Sequence, residues 1–403
     1  MRKCSKYVSI FIIIPVIFLI MITSVVIAAS ATITIREDGI LMINEEPFFP
    51  VGAYRDPSDT LTNFDSLKEA GFNLTHSYFF EERAGEPVLD DKSAATYLEE
   101  AERNGFKVFM GLDRNTVKTH NFEAIRNRVE ALRKYPALLG WYLMDEPEYQ
   151  GISPELLSKV GNLVKSIDPL HPTITVTSRP DCFAKYQKAV DILWTDPYPV
   201  PYHSVSMVSE RVQAAVRAVK NKKPVWAVIQ VHDLERWKGH KSLHELRENY
   251  RPTPKEIRIM TYLAISSGAK GIIYYWLPHE YKLSFNTYHI KKDVPKIWEG
   301  LKRIVKELRR LTPILVAKRK SFPVICSEDT MNVWTQLFQR DGYVIASNPS
   351  NFIDQVKFIF PNIKSAGKVE VLFEDRELSV ENGVFFDKFG ELEVHIYQIK
   401  NLD

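Results

Sequence analysis

Cysteine is scarce in this chain, with three residues in 403. Cys4 lies in the N-terminal segment. Cys182 and Cys326 are far apart and fit no C-x-x-C spacing, which excludes a disulfide-built scaffold and leaves one bridge or two free thiols. Neither an H-x-H nor an H-E-x-x-H spacing is present, and there is no G-x-S-x-G elbow and no P-loop. No metal and no cofactor are therefore expected. Charge of one sign is lacking too. Arg2, Lys3 and Lys6 account for the whole formal net charge of +3, so residues 32–403 balance 50 Lys and Arg against 50 Asp and Glu. A neutral body of this kind argues against a nucleic-acid partner. There is no low-complexity linker and no internal repeat beyond an alternation of strands and helices.

The N-terminus carries those three basic residues, an apolar run from Tyr7 to Ala29 broken by Pro15, and then Ala29-Ser30-Ala31. This is a secretory signal pattern with an A-x-A site. The run is about 20 residues, long enough to span a bilayer, so residues 1–31 read either as a cleaved signal peptide or as an N-terminal anchor. Both readings place the rest of the chain outside the cytoplasm, with membrane contact only through an uncleaved segment. The remaining 370 or so residues are enough for a large domain and a small accessory one.

From Ala31 to Phe49 the pattern is a hairpin, with Asp38-Gly39 supplying the turn. Eight short apolar runs then alternate with amphipathic stretches: 49–54, 72–78, 106–112, 138–144, 174–177, 192–195, 225–231 and 271–277. Continuous apolar strands joined by helices predict a parallel sheet covered on its outer face, and eight of them close naturally into a (β/α)8 TIM barrel over residues 32–312. Glycines at 71 and 105 end helices just before strands, and Thr253-Pro254-Lys255-Glu256 is a capping box that starts another. A basic helix from Val294 is expected to end at Thr312-Pro313. Residues 313–403, with short alternating strands at 342–346, 356–360, 369–373 and 392–399, read as a small C-terminal β-sandwich. The sequon Asn73-Leu74-Thr75 falls within the second strand run, where glycosylation is not expected.

In such a barrel, chemistry collects where strands end. The fourth run, Gly140-Trp141-Tyr142-Leu143-Met144-Asp145-Glu146-Pro147-Glu148, ends on adjacent acids. Glu146 is the first candidate for a catalytic acid, and the competing reading makes both acids helix caps or loop ion pairs. The other strand ends contribute Tyr54 and Arg55, His76, Asp113, Asp196 with Tyr198, Gln230 with His232 and Asp233, and Trp276 with His279 and Glu280. Carboxylates, flat rings and a few basic groups suit a carbohydrate, although each also suits capping or backbone satisfaction.

Phe48-Phe49-Pro50-Val51-Gly52 after the hairpin, Trp141 to Pro147, and Ser267-Gly268-Ala269-Lys270-Gly271 with Ile272 to Trp276 resemble corresponding segments of β-galactosidase-like (β/α)8 glycoside hydrolases of the clan A type. The resemblance covers about residues 32–312 and implies the fold and glycosidase chemistry. It makes Glu146 the general acid/base, Asp145 its orienting neighbour or a sugar contact, Tyr198 a donor to the site, and Trp276 a sugar platform. It also implies a nucleophilic glutamate at the end of the seventh strand, where this sequence has Gln230. An amide forms no glycosyl ester. Either Asp196, Asp233 or Glu280 serves instead, or a base-activated water does, or the chain binds carbohydrate without cleaving it.

Overall fold

The computed structural model describes residues 31–55, 64–81, 88–234, 251–277, 295–361 and 367–402. The signal or anchor segment and Glu280 lie outside the described residues, as do the side chains of Arg55 and Trp276.

A three-stranded antiparallel sheet comes first: β1 (Ile33–Ile35), β2 (Leu41–Ile43) and β3 (Glu46–Phe48). Eight strands then close into a parallel barrel: β4 (Val51–Arg55), β5 (Leu74–His76), β6 (Lys107–Gly111), β7 (Leu138–Asp145), β8 (Thr173–Val176), β9 (Ile192–Thr195), β10 (Val225–Gln230) and β11 (Ile272–Leu277). Each matches one of the eight apolar runs. Outside them lie α1 (Asp65–Ala70), α2 (Asp91–Arg103), α3 (Arg114–Lys118), α4 (Phe122–Leu132), α5 (Pro154–Ile167), α6 (Pro180–Tyr186), α7 (Ser206–Ala218), α8 (Pro254–Ser266) and α9 (Pro295–Leu315). Helix α1 ends on Gly71, whose φ of 95° is open to glycine at little cost. Helix α8 starts with the capping box foreseen for it.

The barrel interior is filled with rings. Trp194 stacks on Trp226 at 5.5 Å, with Phe109 edge-on to both. Ile33 and Leu41 join the same apolar cluster, so the N-terminal sheet closes the end of the barrel opposite the mouth. Asn73 is buried, taking the Val51 N–H at 2.8 Å and giving to the Phe49 carbonyl at 3.0 Å. Cys182 and Cys326 are both free thiols.

Helix α9 does not stop at Thr312-Pro313, as the sequence suggested, but continues to Leu315. Proline removes one donor, yet the Thr312 hydroxyl bonds the Leu308 carbonyl, Val316 N–H reaches Thr312 O, and burial of Leu311, Ile314 and Leu315 holds the last turn.

Two antiparallel sheets follow. One holds β12 (Ile325–Cys326), β15 (Ile353–Ile359) and β18 (Val384–Phe389). The other holds β13 (Asn332–Phe338), β14 (Asp341–Asn348), β19 (Glu393–Ile399), β16 (Lys368–Val371) and β17 (Arg376–Ser379). Val356, Phe358, Phe385 and Tyr397 fill the space between them. Arg258 of α8 ties this sandwich to the barrel by pairing with Glu307 of α9 and donating to Val394 O of β19 at 2.7 Å.

Candidate active site

The end of β7 organises the mouth. Asp145 accepts from the Tyr142 hydroxyl at 2.7 Å, the Tyr78 hydroxyl at 3.1 Å and the Arg114 guanidinium at 2.8 Å. Burial, and behind it the Asp145 charge, hold the phenols of Tyr54, Tyr78 and Tyr142 far above their ordinary range, so all three remain donors. Burial opposes the Arg114 cation, but Asp145 and Glu81 overcome that cost and raise its pKa. Asp145 is thus a fixed carboxylate beside the next residue.

That residue is Glu146, whose backbone is left-handed with φ of 39°. A side chain there is strained, and such strain collects at functional positions. Glu148 holds the turn in place: its Oε1 accepts from the Thr177 hydroxyl at 2.5 Å and the Ser178 N–H at 2.8 Å, locking the loop after β7 to the end of β8. Desolvation first, then the charges of Asp145 and Glu148, raise Glu146 from 4.5 to about 7; Ser178 and Arg114 pull weakly the other way.

Asp196, just beyond β9, is 5% exposed, and its Oδ1 finds no hydrogen-bond partner among the described residues. Burial raises its pKa well above the ordinary value, and Glu146 is the charge that adds most to this, ahead of Asp145 and Glu148. Two carboxyls that the sequence placed on different strands therefore share one electrostatic environment. Tyr198 lies beside them, half-buried, with its ring stacked on Tyr275 at 5.7 Å and edge-on to His232 at 4.7 Å.

Other expected site residues have different work. Gln230 is fully buried and committed to backbone: Oε1 accepts from Val200 N–H at 3.0 Å, while Nε2 donates to Val200 O at 2.8 Å and His232 O at 3.3 Å. It is a clamp on the loop after β9, not a ligand group, and a glutamate there would supply no donor to Val200 O. Asp113 caps α3, accepting from Asn115 N–H, Thr116 N–H and the Thr116 hydroxyl. Tyr54 is buried in the upper ring layer, with its hydroxyl 3.2 Å from that of Tyr142. His76 is buried beneath the mouth, stacked on Tyr142 at 4.3 Å. Asp233 is buried just past β10. Trp276 and Arg55 stand at strand ends, their side chains outside the described residues.

Sequence reasoning missed Glu81. It follows the turn Tyr78–Phe80 and is 2% exposed, with Oε1 3.0 Å from His76 Nε2 and Oε2 3.8 Å from Arg114 Nε. An acid ending the apolar turn Tyr78-Phe79-Phe80 was its only trace in the sequence.

No protein-family model matches this sequence, and no curated protein is similar to it. Solved structures are similar in fold. One titled "Glycoside hydrolase" has a TM-score of 0.61 at 13% identity, covering 92% of this chain and 97% of its own. An α-amylase from Geobacillus thermoleovorans, complexed with acarbose, gives 0.57 at 14% identity over 87% and 98%. A noncanonic maltogenic α-amylase from Thermotoga neapolitana gives 0.57 at 12% over the same shares. At these identities the likeness is one of fold, and at that level it agrees with the glycoside-hydrolase resemblance of the sequence.

Proposed function

We propose that the chain is a glycoside hydrolase acting on oligo- or polysaccharide outside the cytoplasm, with Glu146 and Asp196 as its acid–base pair. The observation that carries this reading is the pairing at the barrel mouth of two desolvated carboxyls, one on strained backbone and the other with an unsatisfied oxygen. Cleaving a glycosidic bond needs one carboxyl to protonate the leaving oxygen and another, ionised, to act at the opposite face of the sugar. Burial and like charge keep the pair from ionising together, so its singly protonated form can supply both roles. Glu146, just past β7, is the donor; Asp196 is the second carboxylate, which accounts for a seventh barrel strand that ends in an amide. Tyr198 offers a hydroxyl and a ring to the sugar, and Trp276 is proposed as a stacking platform. The fold shared with glycoside hydrolases, one of them solved with acarbose, supports the assignment. The N-terminal apolar segment supports the location.

Glu146 is raised to about 7, and burial with the neighbouring carboxyls raises Asp196 as well, so the two groups compete for one proton. Activity is expected to fall as pH climbs through about 7, where Glu146 loses its proton, on the alkaline side of an ordinary carboxylate pair. The direct test screens the purified chain against nitrophenyl glycosides and unactivated oligosaccharides. Glu146→Gln is expected to lower turnover of the latter by roughly 100-fold or more, and to hurt nitrophenyl substrates much less because they need little protonation. Equal loss on both classes, or none, contradicts the donor role. Sugar binding without turnover in the parent protein returns the reading of a binding protein on the same scaffold.

A further inference from the structure

Glu81 occupies a pocket built for it. A Cβ on Gly111 would lie 2.1 Å from Glu81 Oε1, so any larger residue at the end of β6 would fill the space the carboxyl occupies. Arg128 of α4 fixes both walls: Nη2 donates to Phe80 O at 3.2 Å and Nε to Gly111 O at 3.0 Å, while Nη1 pairs with Asp91 at 2.6 Å. Inside this pocket, His76 Nδ1 lies 2.9 Å from the Phe109 carbonyl. A carbonyl only accepts, so Nδ1 carries a proton and Nε2 is the nitrogen left to face Glu81. The 3.0 Å separation is ion-pair distance, off the line of an ideal hydrogen bond.

With almost no solvent present, one proton between these atoms gives either a carboxylic acid against a bare nitrogen or a carboxylate against an imidazolium. No proton leaves two acceptors face to face. Both one-proton forms are neutral as a pair, and desolvation favours that neutrality. The groups around the pair are Arg114 from α3, Arg128 from α4, Asp145 and Tyr142 from β7, and Tyr54 from β4.

We propose that Glu81 is a positioning residue: with His76 it forms a buried one-proton pair that seats the Arg114 guanidinium on Asp145, and so fixes the charge that faces Glu146. The chain of contacts is continuous, from Glu81 to Arg114 at 3.8 Å and from Arg114 to Asp145 at 2.8 Å, with Asp145 next to Glu146 in sequence. It rests on the reading of Glu146 as the acid.

The test compares Glu81→Gln with Glu81→Ala. Glutamine keeps the volume and an N–H for His76 Nε2, whereas alanine removes both. Glu81→Gln is expected to stay close to the parent in kcat/KM. Glu81→Ala is expected to lose about 100-fold, the scale of a small misplacement in an active site. Independently of turnover, the Glu146 carboxyl followed by 13C NMR is expected to titrate higher in Glu81→Ala, since Asp145 loses its fixed countercharge, and unchanged in Glu81→Gln. Titration unmoved in a folded Glu81→Ala, or identical behaviour of the two variants, overturns the proposal. Should Glu81→Ala not fold, ring 15N signals of His76 in the parent decide: the proton is expected on Nδ1, toward the Phe109 carbonyl, and a ring that carries its only proton on Nε2 overturns the pair. A parent Glu146 that titrates as an ordinary glutamate removes the acid reading while leaving the His76 signals to test the pair.

Discussion

Strands β7 and β10 end at the same mouth, and the residues at their ends are held in opposite ways. Gln230 has no exposed surface and gives or takes three hydrogen bonds with backbone, so its chemistry is used up in holding the loop at Val200. Glu146 sits in left-handed backbone, with acids on either side and a pKa near 7. A polar group whose bonds are complete inside the protein is structural, because any new partner must displace an existing one. One that is desolvated and poorly compensated keeps its capacity for a substrate.

The comparison breaks most visibly at Gln230. Gln230→Glu discards the donors to Val200 O and His232 O and sets a carboxylate against carbonyl oxygen, with an expected cost of about 3 kcal/mol or more by denaturant unfolding and no gain in activity. A tolerated charge would mean that the amide is not a clamp. Glu146 sharpens the contrast from the other side. Its folded pKa is raised from 4.5 to about 7, so the stability associated with its proton is whole below about 4.5 and is lost as pH climbs through 7. Glu146→Gln, which cannot ionise, is expected to exceed the parent in stability at pH 8 by on the order of 2 kcal/mol and to show no advantage at pH 4. The strain is separable from the charge. Glu146→Gly is expected to be about 1 kcal/mol more stable than Glu146→Ala, because the left-handed conformation costs a side chain about that much; the reverse order would deny the strain. The smallest effect belongs to Asp113, where alanine removes a helix cap for about 0.5 to 1 kcal/mol with turnover unchanged.

Much of the fold was legible because parallel barrel strands are buried on both faces and leave unbroken apolar runs. Leu138 to Met144 and Val225 to Gln230 show this. Strands β12, β13, β17 and β18 were not foreseen: β12 and β17 are short and partly exposed, and β13 and β18 interrupt their apolar residues with Thr335-Gln336 and Asp387-Lys388. The site was readable where it coincides with strand ends, as at Asp145, Glu146 and Asp196. It was unreadable where a role depends on a partner distant in sequence. Nothing local to Gln230 reveals Val200, 30 residues away. Nothing near Glu81 reveals that Gly111 leaves room for it. At Asp113 the sequence left two readings open, since the same residue type at the same place both caps helices and binds sugars, and the structure shows the cap.

The central claim, that Glu146 and Asp196 titrate as one pair, is tested most directly by 13C-carboxyl titration of the parent protein and of Glu146→Gln. The expected result is a carboxyl that titrates near pH 7 in the parent and vanishes in the variant, where the Asp196 signal also moves to lower pH because its strongest neighbouring charge is gone. A Glu146 that titrates near 4.5, with Asp196 indifferent to the substitution, would contradict the account.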